Sequence, residues 1–127
     1  MKRLSREHIV ALHAQQVSAK GGLHGIRDET LLDAAIEAPY AAFGGIEFFP
    51  TLAEKAARLA FGLAANHPFN DGNKRIAVVS VLVLLGVNGV SVRCDDDELI
   101  ALGLGLAAGE IDYEATLAWV RERIGEP

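Results

Sequence analysis

The chain has 127 residues, of which 50% are hydrophobic and 23% are charged. This length fits one domain with one core, and the composition excludes a disordered chain. The formal net charge is −5, from 17 acidic and 12 basic side chains. That balance argues against a protein that coats nucleic acid, because such proteins carry a basic surplus. Any phosphate site must therefore be a local basic pocket in an acidic protein.

Neither a membrane span nor an internal disulfide is expected. The longest apolar run, Ile76–Val87, contains Ser80 and Gly86 and is far shorter than the roughly 20 residues of a spanning helix. The N-terminal stretch MKRLSREHIVALH has no continuous apolar core, so it does not resemble a signal peptide. Cys94 is the single cysteine, which fits a reducing compartment. We therefore expect a soluble, cytoplasmic protein without membrane contact.

Two helices and a hairpin are predicted in the first 50 residues. The first helix, Ser5–Ala19, starts at a Ser5 cap and ends before two glycines, and the second, Asp28–Glu37, is stopped by Pro39. Two glycines between aromatic residues in Tyr40–Pro50 predict a small hairpin or flap. The side chains at helical spacing are Ile9, Leu12, His13, Gln16 and Val17 in the first helix and Leu31, Leu32, Ala35 and Ile36 in the second.

Three further helices have clear starts in the sequence. Thr51 and Glu54 form a capping-box pattern that starts the predicted helix Leu52–Ala65. Val90–Arg93 is predicted to be a short extended piece. Asp95 with Glu98 starts a helix that runs to about Ala108, and Asp112 starts a final helix that ends at Ile124.

The segment Ile76–Val87 is ambiguous by its residues alone. Its many β-branched side chains are typical of a buried strand. Its length and its apolar character on every side equally suit a helix at the centre of a bundle. We favour the helix because the surrounding elements are helical, which gives an all-α fold of about six helices.

The stretch His67–Arg75, HPFNDGNKR, has the residues of an anion site. Gly72 permits a close backbone approach, and Asn73, Lys74 and Arg75 would form the first turn of the following helix. The free N–H groups of such a turn attract anions, and two cations add to that attraction. Arg75 can grip a phosphate with two parallel bonds, whereas Lys74 is a mobile point charge.

Two further residues of the same stretch can supply chemistry. Asp71 is its one carboxylate, and beside phosphates its natural task is to hold Mg²⁺. His67 precedes the loop and can act as a general base on an incoming hydroxyl. Each residue alone has an ordinary structural explanation as a turn former, a solvated charge or, for Phe69, a core anchor. Their combination within nine residues is poorly explained in that way.

The stretch HPFNDGNKR resembles the signature of the Fic/Doc superfamily, which reads HxFx(D/N)(A/G)NKR in its Doc form. The upstream run GGLHGIRDETLLDAAIEAP, Gly21–Pro39, is similar to the N-terminal signature of the Doc, or death-on-curing, branch. FGLAANHPFNDGNKRIA also has the matching approach helix and exit. The resemblance covers the whole chain as one domain, residues 1–127. It implies a helical bundle with a long central helix after the motif, which makes Ile76–Val87 a helix.

The resemblance also implies roles for the motif residues. The histidine that deprotonates a target hydroxyl falls on His67, and the Mg²⁺-binding acid falls on Asp71. The positions that bind nucleotide phosphates are Asn73, Lys74 and Arg75, with Gly72 shaping the anion hole. His67, Asp71 and Arg75 are therefore the expected catalytic residues, whereas Asn70 occupies a variable position without an assigned role.

The type of transfer depends on two departures from the Fic pattern. Lys74 replaces a glycine of Fic AMP transferases, and Val78 stands where they carry a second arginine that holds the distal phosphates. A nucleotide bound without that arginine can be reversed and present its γ-phosphate. This is the Doc pattern, which implies an ATP- and Mg²⁺-dependent kinase acting on a threonine of elongation factor Tu, and so inhibiting translation.

Three functions are compatible with the motif. The first is a Doc-like kinase that is the toxin of a type II toxin–antitoxin pair, which implies an antitoxin whose disordered segment folds onto an apolar groove. The second is a Fic-type AMP transferase. The third is a non-catalytic phosphate-binding or adaptor domain, which the intact base, metal ligand and arginine disfavour.

Several residues outside the motif have open or negative interpretations. Arg27 and Asp28 belong to a turn and helix cap, or they order the flap or the substrate. The resemblance aligns Phe43–Pro50 with a flap that docks an extended target strand. We do not expect Cys94 to act as a nucleophile because four acids follow it, and we interpret those acids as helix-start charges rather than as a metal site.

Overall fold

The computed structural model describes residues 1–125, and their fold is helical, as the sequence predicts. The helices are α1 (Arg6–Lys20), α2 (Glu29–Glu37), α3 (Leu52–Asn66), α4 (Asn73–Val87), α5 (Asp96–Ala107) and α6 (Tyr113–Ile124), with a 3-10 turn at Ala38–Tyr40. The all-α prediction of about six helices is confirmed, and the predicted helix limits agree to within one or two residues.

Side-chain caps explain why most helices begin where they do. In each of five helices, the cap side chain accepts a hydrogen bond from the backbone N–H three residues later. These caps are Ser5, Asp28, Thr51, Asp95 and Asp112. Such a bond stabilises a helix by about 1 kcal/mol. The exception among the described helices is α4, which starts after Gly72 without any side-chain cap.

The apolar helix α4 occupies the centre of the bundle. It packs against α1, α3 and α5, and its buried residues Ile76, Ala77, Ser80, Val81, Leu84 and Leu85 face these neighbours. The helical interpretation of Ile76–Val87 is therefore confirmed and the strand alternative is wrong. Ser80 is fully buried without penalty because its hydroxyl donates to the carbonyl of Ala77 at 2.7 Å. Within the described residues, no helix is both long and apolar enough to cross a membrane.

Small residues bring α3 close to its neighbours. Its buried face carries Ala53, Ala56, Ala57, Ala60, Gly62 and Ala64. A Cβ at Gly62 would lie 3.4 Å from the Cα of Ala35 in α2, so these two helices are nearly in backbone contact. The close packing fixes the C-terminus of α3, and thereby the start of the motif loop.

The predicted hairpin is present, and residues 90–93, predicted to be a short extended piece, lie outside any helix or strand. Strands β1 (Ala42–Phe43) and β2 (Ile46–Glu47) pair antiparallel around two glycines with positive φ. Residues 90–93 instead run beside α6, where the backbone N–H of Arg93 donates to the carbonyl of Arg123 at 2.8 Å.

Candidate active site

The motif loop joins the C-terminus of α3 to the N-terminus of α4. It is bracketed by two left-handed residues, His67 with φ 46° and ψ 55° and Gly72 with φ 74° and ψ 17°. Among the described residues, His67 is the one non-glycine residue with positive φ. This conformation is uncommon for a side-chain-bearing residue, and such strain often accompanies a functional position.

Arg27 holds the strained end of the loop. Its guanidinium donates to the carbonyl of His67 at 2.7 Å and to the carbonyl of Asn66 at 2.9 Å. These bonds satisfy the last carbonyls of α3, which have no partner within the helix. Asp28 caps α2 through Leu31. Of the two interpretations given for Arg27 and Asp28, the cap is correct for Asp28, and Arg27 contacts the motif loop rather than the hairpin.

Asn73 closes the loop from inside. Its Oδ1 accepts from the backbone N–H of Phe69, and its Nδ2 donates to the carbonyl of Phe69, both at 3.0 Å. Phe69 itself is 1% exposed, so its predicted role as a core anchor is confirmed. Because the amide side chain is occupied in this way, the group that Asn73 offers to an anion is its backbone N–H.

The first turn of α4 faces a cleft of about 230 Å³. Its lining includes the imidazole of His67, the carboxylate of Asp71 and the cationic side chains of Lys74 and Arg75. His67 and Lys74 are exposed and Arg75 is half-buried. The uncapped N-terminus of α4 points its N–H groups and the positive end of the helix dipole at the same place. The structure therefore brings the cations of the motif and the start of α4 together in one cleft, where the sequence predicts a local basic pocket.

Asp71 is held as an ionised carboxylate. Its Oδ1 accepts from the N–H of Gly72 at 2.8 Å and its Oδ2 accepts from the N–H of Leu23 at 3.2 Å. The bond from Gly72, and next the bond from Leu23, lower the pKa of this carboxyl group. A lone ionised carboxylate fits a Mg²⁺ ion that also takes phosphate oxygens and water. The described residues contain no group of three acidic, histidine or cysteine side chains that would form an all-protein metal cage.

The loop between α1 and α2 lies directly on the motif loop. The carbonyl of Gly21 accepts from Arg75 at 2.9 Å, and the carbonyl of Gly25 accepts from the N–H of Asn70 at 3.0 Å. Gly22 lies so close that a Cβ there would be 2.8 Å from Oδ2 of Asp71. Residues 21–25 thus help to shape the site. Sequence reasoning assigned them no such role, although the paired glycines in the upstream signature were the available signal.

His13 of α1 supports the motif loop from the side of the core. Its Nε2 lies 2.7 Å from the carbonyl oxygen of Asp71, and its ring stacks on Phe69 with centroids 3.7 Å apart and planes inclined by 7°. The side chain is buried, and this burial lowers its pKa. No motif in the sequence points to His13, because its partner lies 58 residues away.

An apolar groove adjoins the cleft. It has a volume of about 420 Å³ between α1, α4 and α5, and it shares Lys74 and Arg75 with the cleft at the start of α4. Its other lining residues are Gln16, Lys20, Val78, Val79, Asp96, Leu99, Ile100, Gly103 and Leu104. Ile100 and Leu104 are large apolar side chains that remain 59% and 52% exposed.

The β1–β2 hairpin presents a second apolar surface. Phe43, Ile46 and Phe48 are 80%, 71% and 58% exposed. Lys55 of α3 anchors the hairpin, since its buried ammonium group bonds the carboxylate of Glu47 at 2.9 Å and the carbonyl of Phe49.

Comparisons with known proteins agree with this geometry. The model of the Fic/DOC family matches residues 3–85. The chain is 37% identical over 125 residues to "Protein kinase doc" of Escherichia phage P1, covering 98% of each chain. It is 44% identical over 79 residues to "Toxin Doc" of Mycolicibacterium smegmatis, covering 62% of this chain and 61% of that protein. The resemblance to the Doc branch is thereby confirmed, and the chain belongs to the Fic/DOC family.

Proposed function

We propose that the chain is a Doc-type toxin and a protein kinase, which transfers the γ-phosphate of ATP to a serine or threonine hydroxyl of a protein target. Elongation factor Tu is the candidate target, and inhibition of translation is the expected consequence. The family match and the relative named as a protein kinase, which aligns over 98% of both chains, support a transferase. The observation that carries the proposal is the convergence of His67, Asp71, Lys74 and Arg75 on one cleft at the N-terminus of α4.

Each of these groups has a defined task in phosphoryl transfer. His67 accepts the proton of the target hydroxyl as its oxygen bonds to the γ-phosphorus, and the bond from phosphorus to the bridging oxygen breaks to release ADP. Lys74, Arg75 and the first N–H groups of α4 bind the phosphate oxygens. Asp71 would hold Mg²⁺, which neutralises phosphate charge when it is bound with the nucleotide.

The groove beside Arg75 favours γ-transfer over AMP transfer. Val78 places an apolar side chain one turn after Arg75, where Fic AMP transferases have the arginine for the distal phosphates. Without a cation there, the additional charge of Lys74 holds the terminal phosphate at the start of α4. One observation favours the second candidate, AMP transfer: Lys20 lines the same groove and can supply a positive charge from α1.

Labelled ATP separates the two reactions. The protein is incubated with Mg²⁺, elongation factor Tu or a cell lysate, and ATP that carries its label at either the α- or the γ-phosphate. We expect protein labelling from γ alone. Labelling from α would support AMP transfer instead, and labelling from neither would refute the enzyme for the targets tested.

A matched substitution tests the base. His67→Asn is preferable to His67→Ala because asparagine tolerates the left-handed conformation that His67 adopts. The variant should keep its unfolding transition and lose transfer. Transfer at the wild-type rate would refute His67 as the base.

We also propose that the apolar groove receives the antitoxin. Its exposed Ile100 and Leu104 suit the apolar face of an amphipathic segment, and the cations Lys20, Lys74 and Arg75 at its rim suit acidic side chains on that segment. Because the groove shares Lys74 and Arg75 with the cleft, an occupant would also obstruct the nucleotide.

The antitoxin proposal is tested by co-expressing the chain with each protein that is encoded beside its own gene. Leu104→Glu should weaken copurification with the antitoxin, so that the free toxin again inhibits growth of the cells. Phe43→Glu on the hairpin, outside the groove, should leave copurification unchanged. Undiminished copurification with Leu104→Glu would place the antitoxin elsewhere.

A further inference from the structure

His13 is a buried histidine for which the transfer mechanism has no direct use. It lies on α1, yet its hydrogen bond and its ring stack both join it to the motif loop, to the carbonyl of Asp71 and to the ring of Phe69. A Cβ at Gly72 would be 3.5 Å from Nε2 of His13. The residue is 2% exposed, so water is not available as a hydrogen-bond partner for its ring in place of the Asp71 carbonyl.

The hydrogen bond to Asp71 fixes the protonation of the ring. A carbonyl oxygen only accepts, so Nε2 must carry the proton. His13 therefore donates the proton on Nε2 to the Asp71 carbonyl.

That bond reaches the carboxylate of Asp71 through the peptide plane. In a trans peptide, the carbonyl of Asp71 and the N–H of Gly72 point in opposite directions. When His13 holds the carbonyl, the direction of the Gly72 N–H is also set. This N–H donates to Oδ1 of Asp71 at 2.8 Å. The ring on α1 thus orients the carboxylate on the far side of the peptide.

We propose that His13 is a positioning residue that sets the orientation of the Asp71–Gly72 peptide, and through it the metal-binding carboxylate and the first N–H groups of α4. The inference rests on the proposed function for its catalytic consequence, whereas the positioning itself can be measured in the absence of any substrate. Stacking on Phe69 restricts the ring to one plane, so that the donor points at the carbonyl.

Two substitutions separate the donor from the ring. His13→Phe keeps an aromatic ring for the stack on Phe69 and removes the donor. His13→Gln removes the ring and keeps an N–H at about the distance of Nε2 from the backbone. Ile9→Val, on the same buried face of α1, controls for a general loss of packing.

The first measurement is the backbone amide spectrum of the protein without ligand. In His13→Phe we expect the amide resonances of Gly72 and Leu23, whose N–H groups donate to the carboxylate of Asp71, to shift. In His13→Gln they should return towards the wild-type positions. Ile9→Val should leave both unchanged. Unmoved resonances in a folded His13→Phe would overturn the proposal. If His13→Phe does not fold, wild-type resonances in His13→Gln support the donor role and displaced ones overturn it.

The second measurement is transfer at increasing Mg²⁺ concentration. Losing a residue that orients a metal ligand typically costs 10- to 100-fold in affinity or activity. We expect a loss of about that size in kcat and in Mg²⁺ affinity for His13→Phe, recovery in His13→Gln, and an unchanged KM for the protein target. A rise in KM alone would overturn the proposal. If the wild type transfers nothing, the proposed function fails, while the Gly72 amide still decides the role of His13.

Discussion

Gly22 offers the sharpest test of how the site is built. This residue lies between α1 and α2 with φ +113°, and a Cβ there would be 2.8 Å from Oδ2 of Asp71 and 3.2 Å from Nη2 of Arg75. A Cβ contact shorter than 3.0 Å essentially does not occur, so Gly22→Ala must displace one of the partners. Both partners are the ends of side chains and can move at little cost in stability. They are also the groups proposed to bind Mg²⁺ and phosphate.

The size of the effect follows from these distances. Ordinary contact begins at 3.4 Å, so the carboxylate of Asp71 must retreat by about 0.6 Å, the difference between 3.4 and 2.8 Å. A misplacement of about 1 Å can reduce turnover about 100-fold, so we expect a loss of roughly 10-fold or more. The unfavourable φ of an alanine adds a loss of about 1–3 kcal/mol in the free energy of unfolding.

Gly89→Ala is the matched control. Gly89 also has a positive φ, +79°, but a Cβ there meets nothing within 4 Å. Both variants should therefore lose unfolding free energy in chemical denaturation, and only Gly22→Ala should lose transfer and Mg²⁺ affinity. Equal transfer by the two folded variants would refute the claim that residues 21–25 shape the site.

Three further predictions concern the loop, the hairpin and the cysteine. Asn73→Ala should lower the free energy of unfolding by about 1–3 kcal/mol, because it leaves the backbone N–H and carbonyl of Phe69 unpaired. An unchanged midpoint of chemical denaturation would contradict this. Lys55→Met should accelerate hydrogen exchange of the hairpin amides, including that of Glu47, and unaltered exchange would show that Lys55 is no anchor. The free energy of unfolding should change by only about 1 kcal/mol, because the side chain of Glu47 is 51% exposed and regains water when its partner is removed. Cys94 should react more slowly with iodoacetamide at pH 7 than a cysteine in an unfolded peptide, because burial raises its pKa and so depletes the thiolate. Mass spectrometry measures the rate, and faster alkylation of Cys94 would contradict this.

Local signals in the sequence were sufficient for most of the fold. The capping box at Thr51 and Glu54 and the cap at Asp95 predict helix starts because the stabilising bond joins residues three positions apart. The segment Ile76–Val87 was undecided by its own residues. A helix buried against α1, α3 and α5 is apolar on most of its surface, so it loses the one-sided pattern that distinguishes it from a buried strand.

The missing parts of the site depend on contacts between distant residues. His13 meets Asp71 across 58 positions, and Leu23 meets the same residue across 48. Pattern alone placed His13 correctly on the buried face of α1. A polar ring on such a face requires a hydrogen-bond partner, but the sequence does not say which carbonyl supplies it.

The structure divides the motif into two kinds of residues, and the division has a consequence for its variants. His67 and Lys74 are exposed side chains, one at the start of the loop and one in the first turn of α4. Other groups hold the shape of the loop, so substitution of these two residues should abolish transfer without unfolding the protein. Asn73 and Phe69 close the loop, and His13 holds its far side, so changes there should alter stability and site geometry together. A loss of activity that is accompanied by wild-type stability therefore points to the first kind, and this distinction separates a missing reactive group from a displaced one.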